Sequence, residues 1–154
     1  MKKILLAVDN TKGSEKVVQE LVGWVKGFQP ESILLLHIQR LYGRTRIGEA
    51  LESEQDIEEV SAALEGTEYL ENLDAESEKI ISHFKDELEQ AGYKNIKAVI
   101  KKGHPAEQIV ETAKEEAIDL IVMGSRGGRQ HPFLMGSVSR EVSNTADISV
   151  LIVR

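Results

Sequence analysis

Four small residues surround a short loop in the C-terminal half of the chain, and their types and spacing suit phosphate binding. An apolar run ends at Met123, Gly124 and Gly127 follow it, and Gly136 and Ser137 begin a predicted helix. Glycine lets the backbone approach an anion closely, and the first free N–H groups of a helix point toward it. The segment therefore predicts a phosphate-binding loop. The alternative is a strand-to-helix turn of the kind that any α/β domain needs.

Other chemistry has weaker support. The sequence contains neither a Walker A lysine nor a G-x-G-x-x-G motif. No Ser–His–acid arrangement is recognisable, so we expect at most slow ATP hydrolysis, and a weak hydrolase is the least favoured alternative. Asp9 suits a ligand contact or a turn cap; as a phosphoacceptor it would need further carboxylates for Mg²⁺, and the strand-end loops offer none. Arg126 and Arg129 are secondary phosphate candidates, because guanidinium pairs bidentately with phosphate.

The apolar patterning predicts five strands that alternate with helices, the first helix having Ser14 as its N-cap. The predicted strands cover residues 3–8, 32–38, 95–101, 118–123 and 148–153. This alternation implies an α/β fold with a parallel sheet and helices on both faces. Ligands bind such sheets at the carboxyl ends of the strands, where the strand order reverses. Asp9 and Gly124 would meet there if the first and fourth strands are neighbours.

Composition indicates one domain, residues 1–154, in a soluble cytoplasmic protein. No apolar run approaches the ~20 residues that span a bilayer, and the N-terminus does not resemble a signal peptide. The chain has no cysteine, and its histidines lack ligand-like spacing, so we expect no metal site made by protein groups alone. The net charge is −7, and residues 49–78 carry twelve acids and no Lys or Arg, so the rest sums to −7 + 12 = +5. We expect no binding to nucleic acid or membrane, and an acidic excursion at about 42–66, either a peripheral helix or a mobile segment.

The chain resembles the universal stress protein family over nearly its whole length. The motifs that carry the resemblance are ILLAVD (4–9) with Thr11 and Ser14, LLLHI (34–38), GHPAEQI (103–109), DLIVMGSRG (119–127), GSVSREV (136–142) and ISVLIVR (148–154). The resemblance implies a three-layer, adenine nucleotide alpha hydrolase-like domain with strand order 3-2-1-4-5. It also implies a homodimer and, in one branch of the family, ATP binding through a G-x2-G-x9-G-[S/T] pattern.

The resemblance also implies a role for each matching residue. Asp9 would lie near the ribose and phosphates, Ile38 and Met123 would flank the adenine, and Gly124 and Gly127 would admit the phosphates. Gly136, Ser137 and Val138 would hold the terminal phosphates, with Mg²⁺ possible alongside the nucleotide. The last strand would pair across the dimer axis through Ile148, Val150, Leu151, Ile152 and Val153. Of these, Ile148, Val150 and Ile152 would face one side of the sheet, and Leu151 and Val153 the other.

One spacing departs from the family pattern. Eight residues, not nine, separate Gly127 from Gly136, with Pro132 among them. A one-residue deletion in a loop costs little for folding but can move backbone donors away from a ligand. Two functions therefore follow from the sequence. The first is a dimeric stress-response regulator that binds ATP as a ligand; the second is a nucleotide-free module that acts through an unknown protein partner, with the acidic insert as its candidate partner-facing surface.

Overall fold

The computed structural model describes residues 2–24, 26–40, 54–125 and 135–154. Within these ranges, strands and helices alternate along the chain as the sequence patterning predicts. The elements are β1 (Lys3–Val8), α1 (Lys12–Trp24), β2 (Ser32–Gln39), α2 (Glu54–Ala63), α3 (Glu68–Ala91), β3 (Ile96–Lys102), α4 (Pro105–Glu115), β4 (Leu120–Gly124), α5 (Ser137–Thr145) and β5 (Ser149–Val153).

The strands form one parallel sheet in the order β3-β2-β1-β4-β5, which confirms the expected order. β1 lies at the centre, with Leu6 opposite Leu35 of β2 and opposite Val122 of β4. The chain moves outward from β1 through β2 to β3 and then returns to the other side of β1 for β4 and β5. The strand order therefore reverses between β1 and β4, where α/β sheets form their ligand crevice.

Two apolar cores cover the two faces of the sheet. Ile4 and Leu6 of β1 point into one core with Phe84 of α3, and α1 and α3 cover that face. Leu5 of β1 points into the other core with Ile109 of α4, and α4 and α5 cover that face. The central strands are buried on both sides, which explains why their sequences are continuous apolar runs rather than alternating ones.

The fourth strand begins two residues later than the sequence predicts. Ala117 adopts a left-handed backbone conformation with φ of 50°. The N–H of Ile118 donates to the carbonyl of Ala113 at 2.9 Å. Ile118 is buried and apolar, as the pattern required, but its backbone closes the exit of α4. Apolar character alone could not separate a helix exit from a strand start.

Hydrogen bonds from two polar side chains, Asp119 and Tyr93, join ends of strands and helices that are distant in sequence. The carboxylate of Asp119 accepts the backbone N–H groups of Lys3 at 2.9 Å and Lys2 at 2.6 Å, and these bonds lower its pKa. The hydroxyl of Tyr93 donates to the carbonyl of Leu21 in α1 at 2.7 Å, and burial raises the pKa of this tyrosine. The first contact joins β1 to β4, and the second joins α1 to the chain that follows α3.

The connection between β2 and β3 contains a long amphipathic helix, α3, and a second, peripheral one, α2. α3 begins after Thr67, whose hydroxyl accepts the N–H of Leu70, and it ends at Gly92, with φ of 105°. α2 lies in the acidic excursion, and none of residues 55–63 is buried. The described part of the excursion is therefore a peripheral helix, whereas residues 42–53 lie outside the described ranges. No helix in the described chain is long and apolar enough to cross a membrane.

Candidate functional site

The carboxyl ends of β1 and β4 bring the first turn of α1 against the end of β4. A Cβ atom added to Gly124 would lie 3.1 Å from both the carbonyl carbon and the carbonyl oxygen of Gly13. Real Cβ atoms rarely approach backbone atoms this closely, so a side chain at Gly124 would push α1 away from the sheet. The expected meeting of the loops after the first and fourth strands is thus observed, and Gly124 is the residue that permits it.

Asp9 follows β1 and is held by two hydroxyl groups of the next turn. Its Oδ1 accepts the hydroxyl of Ser14 at 2.7 Å and also accepts the hydroxyl of Thr11. The backbone N–H of Asp9 in turn donates to Oγ of Ser14 at 2.8 Å. Asp9 is exposed and Ser14 is buried. All hydrogen bonds that the described residues make to this carboxylate fall on Oδ1, so Oδ2 is left to face solvent or a ligand.

The prediction that Ser14 is the N-cap of the first helix is wrong. The carbonyl of Thr11 accepts the N–H groups of Ser14 at 3.0 Å and of Glu15 at 3.2 Å, and α1 begins at Lys12. Thr11 therefore lies at the cap position and Ser14 lies inside the first turn. The Ser14 hydroxyl is directed back to Asp9, which competes with the capping role expected from residue type.

Ser125, which follows β4, joins three elements of the site. Its N–H donates to the carbonyl of Val153 in β5 at 2.7 Å. Its carbonyl accepts the N–H of Gly136 at 2.8 Å and the hydroxyl of Ser139 at 2.9 Å. Ser125 and Ser139 are both buried. These bonds bring together the two ends of the glycine-containing loop, because Ser125 precedes it and Gly136 follows it.

Ser125 and Ser139 were not among the predicted site residues. Ser125 follows Gly124 and Ser139 lies three residues after Gly136, so the available signal was a small hydroxyl residue near each end of the loop. Both act through contacts between distant segments, which residue spacing does not reveal.

α5 begins at the same edge of the sheet with no side-chain cap. Gly136 occupies the N-cap position, and its own N–H donates to the carbonyl of Ser125. Ser137 is exposed and Val138 packs against the core that α4 and α5 cover. The first N–H groups of an α-helix have no acceptor within the helix and carry partial positive charge. The amides of Ser137 and Val138 are therefore positioned to receive an anion.

An apolar patch lies on the α4 and α5 side of the same strand ends. Ile38 of β2 and Met123 of β4 are both buried members of that core, with 9% and 5% of their surfaces exposed. Ala7 of β1, the strand between them, packs against the same core and is half-buried. Ala7 was not a predicted site residue; it pairs with Leu36 of β2 and adds a small side chain to the patch. Gly127, Arg126 and Arg129 lie outside the described residues.

α3 contacts this edge of the sheet from the other face. The side-chain amide of Asn10, next to Asp9, donates to Glu76 Oε1 at 3.0 Å. The buried Gln39, next to Ile38, donates from Nε2 to Asp74 Oδ1 at 2.9 Å. The acidic residues at the beginning of α3 therefore hydrogen-bond directly to residues that neighbour the candidate site.

Within the described residues, nothing forms a metal-binding cluster of three or more His, Asp or Glu side chains. His37 is buried, and its Nδ1 lies 2.9 Å from the carbonyl of Val8, as expected for a satisfied core histidine. The described site thus combines helix N-termini, a close-packed glycine, one fixed carboxylate and an apolar patch. This set can hold an anionic ligand with an apolar group.

The comparison with protein families agrees with the motifs in the sequence. The family model described as "Universal stress protein family" matches residues 1–154. The chain belongs to the universal stress protein family. Universal stress protein MJ0577 of Methanocaldococcus jannaschii is 31% identical over 163 residues, covering 99% of this chain and 94% of that protein. Universal stress protein YxiE of Bacillus subtilis is 32% identical over 160 residues, covering 99% and 98%.

Solved structures of universal stress proteins share the fold. The structure of MJ0577 superposes with a TM-score of 0.74 at 28% identity, covering 99% of this chain and 94% of that chain. The universal stress protein from Archaeoglobus fulgidus in complex with dAMP superposes with a TM-score of 0.62 at 21% identity, covering 100% and 98%. The adenine nucleotide alpha hydrolase-like fold implied by the sequence is confirmed; the dAMP is a property of the Archaeoglobus protein.

Proposed function

We propose that this universal stress protein binds an adenine nucleotide, ATP in the first place, in the crevice between β1 and β4. The observation that carries the proposal is the convergence at Gly124. The first turn of α1 packs directly on the end of β4, and the uncapped start of α5 follows from the same strand. Two helix N-termini at one strand-order reversal make an edge that favours a phosphate group.

The candidate residues divide the proposed ligand among them, Gly127 being the one that lies outside the described ranges. The N–H groups of Ser137 and Val138 and the hydroxyl of Ser137 would hold phosphate, and Gly124 and Gly127 would let it approach the backbone. Asp9 has Oδ1 fixed by its own turn, so Oδ2 would accept from a ribose hydroxyl. Ile38 and Met123 would contact the base. Mg²⁺, where present, would arrive with the triphosphate, because the described residues offer no metal cluster of their own.

The shortened spacing between Gly127 and Gly136 is compatible with this proposal. The hydrogen bond from the Gly136 N–H to the Ser125 carbonyl fixes where the loop leaves β4 and where it enters α5. The amides of the α5 first turn are positioned by this bond and by Ser139, and not by the length of the loop between them. The Archaeoglobus fulgidus relative, whose structure is a complex with dAMP, supports the choice of an adenine nucleotide. Because that relative is 21% identical to this chain, the support rests on the shared fold.

The function of the bound nucleotide would be regulatory. The described site offers neither a nucleophile with a base nor a second carboxylate, so the nucleotide would bias conformation or partner choice and would not be consumed. A cytoplasmic role in the stress response goes with this proposal.

The same proposal includes a homodimer formed through β5. The two edge strands differ: β3 carries Lys97, Lys101 and Lys102, whereas the sequence of β5 is SVLIV, with no charge. Lysines on an edge strand discourage pairing with another chain, and their absence permits it. Ile148, Val150 and Ile152 pack toward the α4 and α5 core and Leu151 and Val153 toward the other, as predicted, and all five remain only half-buried.

A nucleotide-free interaction module is the second candidate function. The eight-residue spacing between Gly127 and Gly136 favours it, because one branch of the family lacks the full glycine pattern. In that case the same dimer would form, and partner binding would not depend on ATP.

Calorimetric titration with ATP and Mg²⁺, ADP, AMP and adenosine tests the proposed function. The informative variant is Gly124→Ala, whose Cβ would press on Gly13, and the matched control is Gly23→Ala, whose Cβ would meet no atom within 4 Å. We expect Gly124→Ala to weaken ATP binding at least tenfold and Gly23→Ala to leave it unchanged. Gly127→Val should abolish binding. Equal affinities in all four proteins would contradict the proposed cradle, and no binding by the parent protein would favour the interaction module.

A further inference from the structure

A groove of about 410 Å³ lies between α2 and α3 at the carboxyl end of β3. Ala62 and Leu70 form its apolar part. Its volume falls within the range of protein pockets that accept ligand groups. Nothing in the proposed nucleotide site uses this groove.

Carboxylates from both helices surround the groove. Glu58 and Glu65 line it from the α2 side, and Glu71 and Asp74 line it from α3. From residue 54 to residue 78 the sequence has ten acids and no Lys or Arg. A strongly negative groove with low-dielectric walls concentrates cations near it.

One lysine of the chain already shows how the groove receives an ammonium group. Lys102 lies at the end of β3 and lines the groove, with its Nζ 3.8 Å from Oδ1 of Asp74. The same Oδ1 accepts a hydrogen bond from the buried Gln39, which fixes the carboxylate. A positively charged side chain therefore fits against this wall. The other three lining carboxylates make no ion pair with any described residue.

α2 also carries an apolar stripe that the described chain does not bury. Ile57, Val60 and Leu64 are spaced by three and four residues, so they lie on one side of the helical segment. Each of them is only half-buried, and none of residues 55–63 is buried. Helices in globular proteins normally bury such a stripe, whereas the described residues leave this one partly exposed.

We propose that α2 and the first turns of α3 form a docking surface for a cationic, amphipathic segment of a partner protein. Lysine or arginine side chains of that segment would pair with Glu58, Glu65 and Glu71. Its apolar side chains would contact the exposed Ala62 and the stripe formed by Ile57, Val60 and Leu64. The proposal is independent of nucleotide binding.

The charge of this surface selects the class of partner. Nucleic acids and anionic membrane surfaces are repelled by it, and so is a second copy of the chain that docks through the same acidic surface. An isolated metal ion is also disfavoured, because the lining acids form no metal-binding cluster among the described residues. A basic protein segment satisfies both the carboxylates and the apolar stripe.

The test uses the full chain and a fluorescein-labelled 18-residue peptide, with Lys and Leu placed so that one helical face is basic and the other apolar. Fluorescence anisotropy measures its affinity for three proteins. The groove variant is Glu58→Gln with Glu65→Gln and Glu71→Gln. The matched control is Glu59→Gln with Glu68→Gln and Glu78→Gln, which makes the same charge change at three exposed positions outside the groove. We expect about a tenfold loss of affinity in the groove variant and less than a twofold loss in the control.

A second pair of variants covers the case in which three substitutions disturb folding. Ser61→Lys places a cation in the groove lining, and Gln55→Lys places one on the exposed side of α2. We expect only Ser61→Lys to weaken peptide binding, and we expect the peptide to slow hydrogen exchange in residues 57–74. Thermal unfolding verifies that the variants are folded.

Several results would overturn the proposal. Equal loss in both triple variants would show that only net charge matters. Equal binding of a peptide with the same composition but a scrambled order would show that the apolar stripe is not used. Spermine binding as tightly as the peptide would make the groove a polyamine site, and no binding of the peptide at 1 mM would leave no docking surface at all.

Discussion

Replacing Ser14 with alanine should loosen the carboxylate of Asp9 and destabilise the protein. The hydroxyl of Ser14 donates to Asp9 Oδ1 at 2.7 Å and accepts the Asp9 N–H at 2.8 Å, so two hydrogen bonds are lost. An intramolecular hydrogen bond contributes about 0.5–1.5 kcal/mol, and Asp9 is exposed, so we take the lower part of that range for the bond to its carboxylate. Alanine recovers about 0.5 kcal/mol through its higher helix propensity. We therefore expect the free energy of unfolding to fall by about 0.5–2 kcal/mol.

Urea unfolding measures this stability change, and calorimetry with ATP measures its effect on the site. Because a loosened carboxylate must be ordered again on binding, we expect the affinity for ATP to fall about fivefold. The comparison variant is Thr11→Val, which removes only one of the hydroxyl bonds to Asp9, at a half-exposed position, and should lower stability by about 0.5 kcal/mol, less than Ser14→Ala. Stability and affinity both unchanged in Ser14→Ala would refute the view that Ser14 positions Asp9.

Three further predictions concern stability and assembly. Tyr93→Phe should lower the free energy of unfolding by about 1 kcal/mol in urea, because a buried hydroxyl bond is lost. Since burial raises the pKa of Tyr93, the parent protein should also lose stability as the pH rises above 10.0 through the folded-state value, a loss absent from the variant. The backbone N–H groups of Lys3 and Lys2 lower the pKa of Asp119, so the stability that the ionised carboxylate contributes is lost as the pH falls through that lowered value. Asp119→Asn has no such carboxylate and should therefore lose less stability in acid. Acid titration followed by circular dichroism measures the difference. Ile152→Lys on β5 should convert the proposed dimer to monomer in sedimentation, whereas Val99→Lys, a half-buried position on the other edge strand, should not.

The sequence predicted the architecture because the strands are buried on both faces. The run from Lys3 to Val8 could be read directly, since a covered strand is apolar without interruption. Strand boundaries were less certain, as Ile118 shows. It is as apolar as its neighbours, yet its backbone belongs to the helix exit.

The candidate site was only partly predictable. Gly124 was selected as a strand-end glycine, but the approach of Gly13 depends on how α1 packs, which no local pattern encodes. The same holds for Ser125, whose three hydrogen bonds join segments that are distant in sequence. The groove beside α2 also depends on tertiary packing, which the acidic composition of the segment does not encode.

Mass spectrometry of the freshly purified protein, under native and then denaturing conditions, tests the central claim most directly. The claim is that the crevice between β1 and β4 binds an adenine nucleotide. We predict a mass increment equal to ATP or ADP on each protomer under native conditions, and release of that nucleotide on denaturation. A protein that carries no nucleotide and gives no heat with added ATP and Mg²⁺ would contradict the claim.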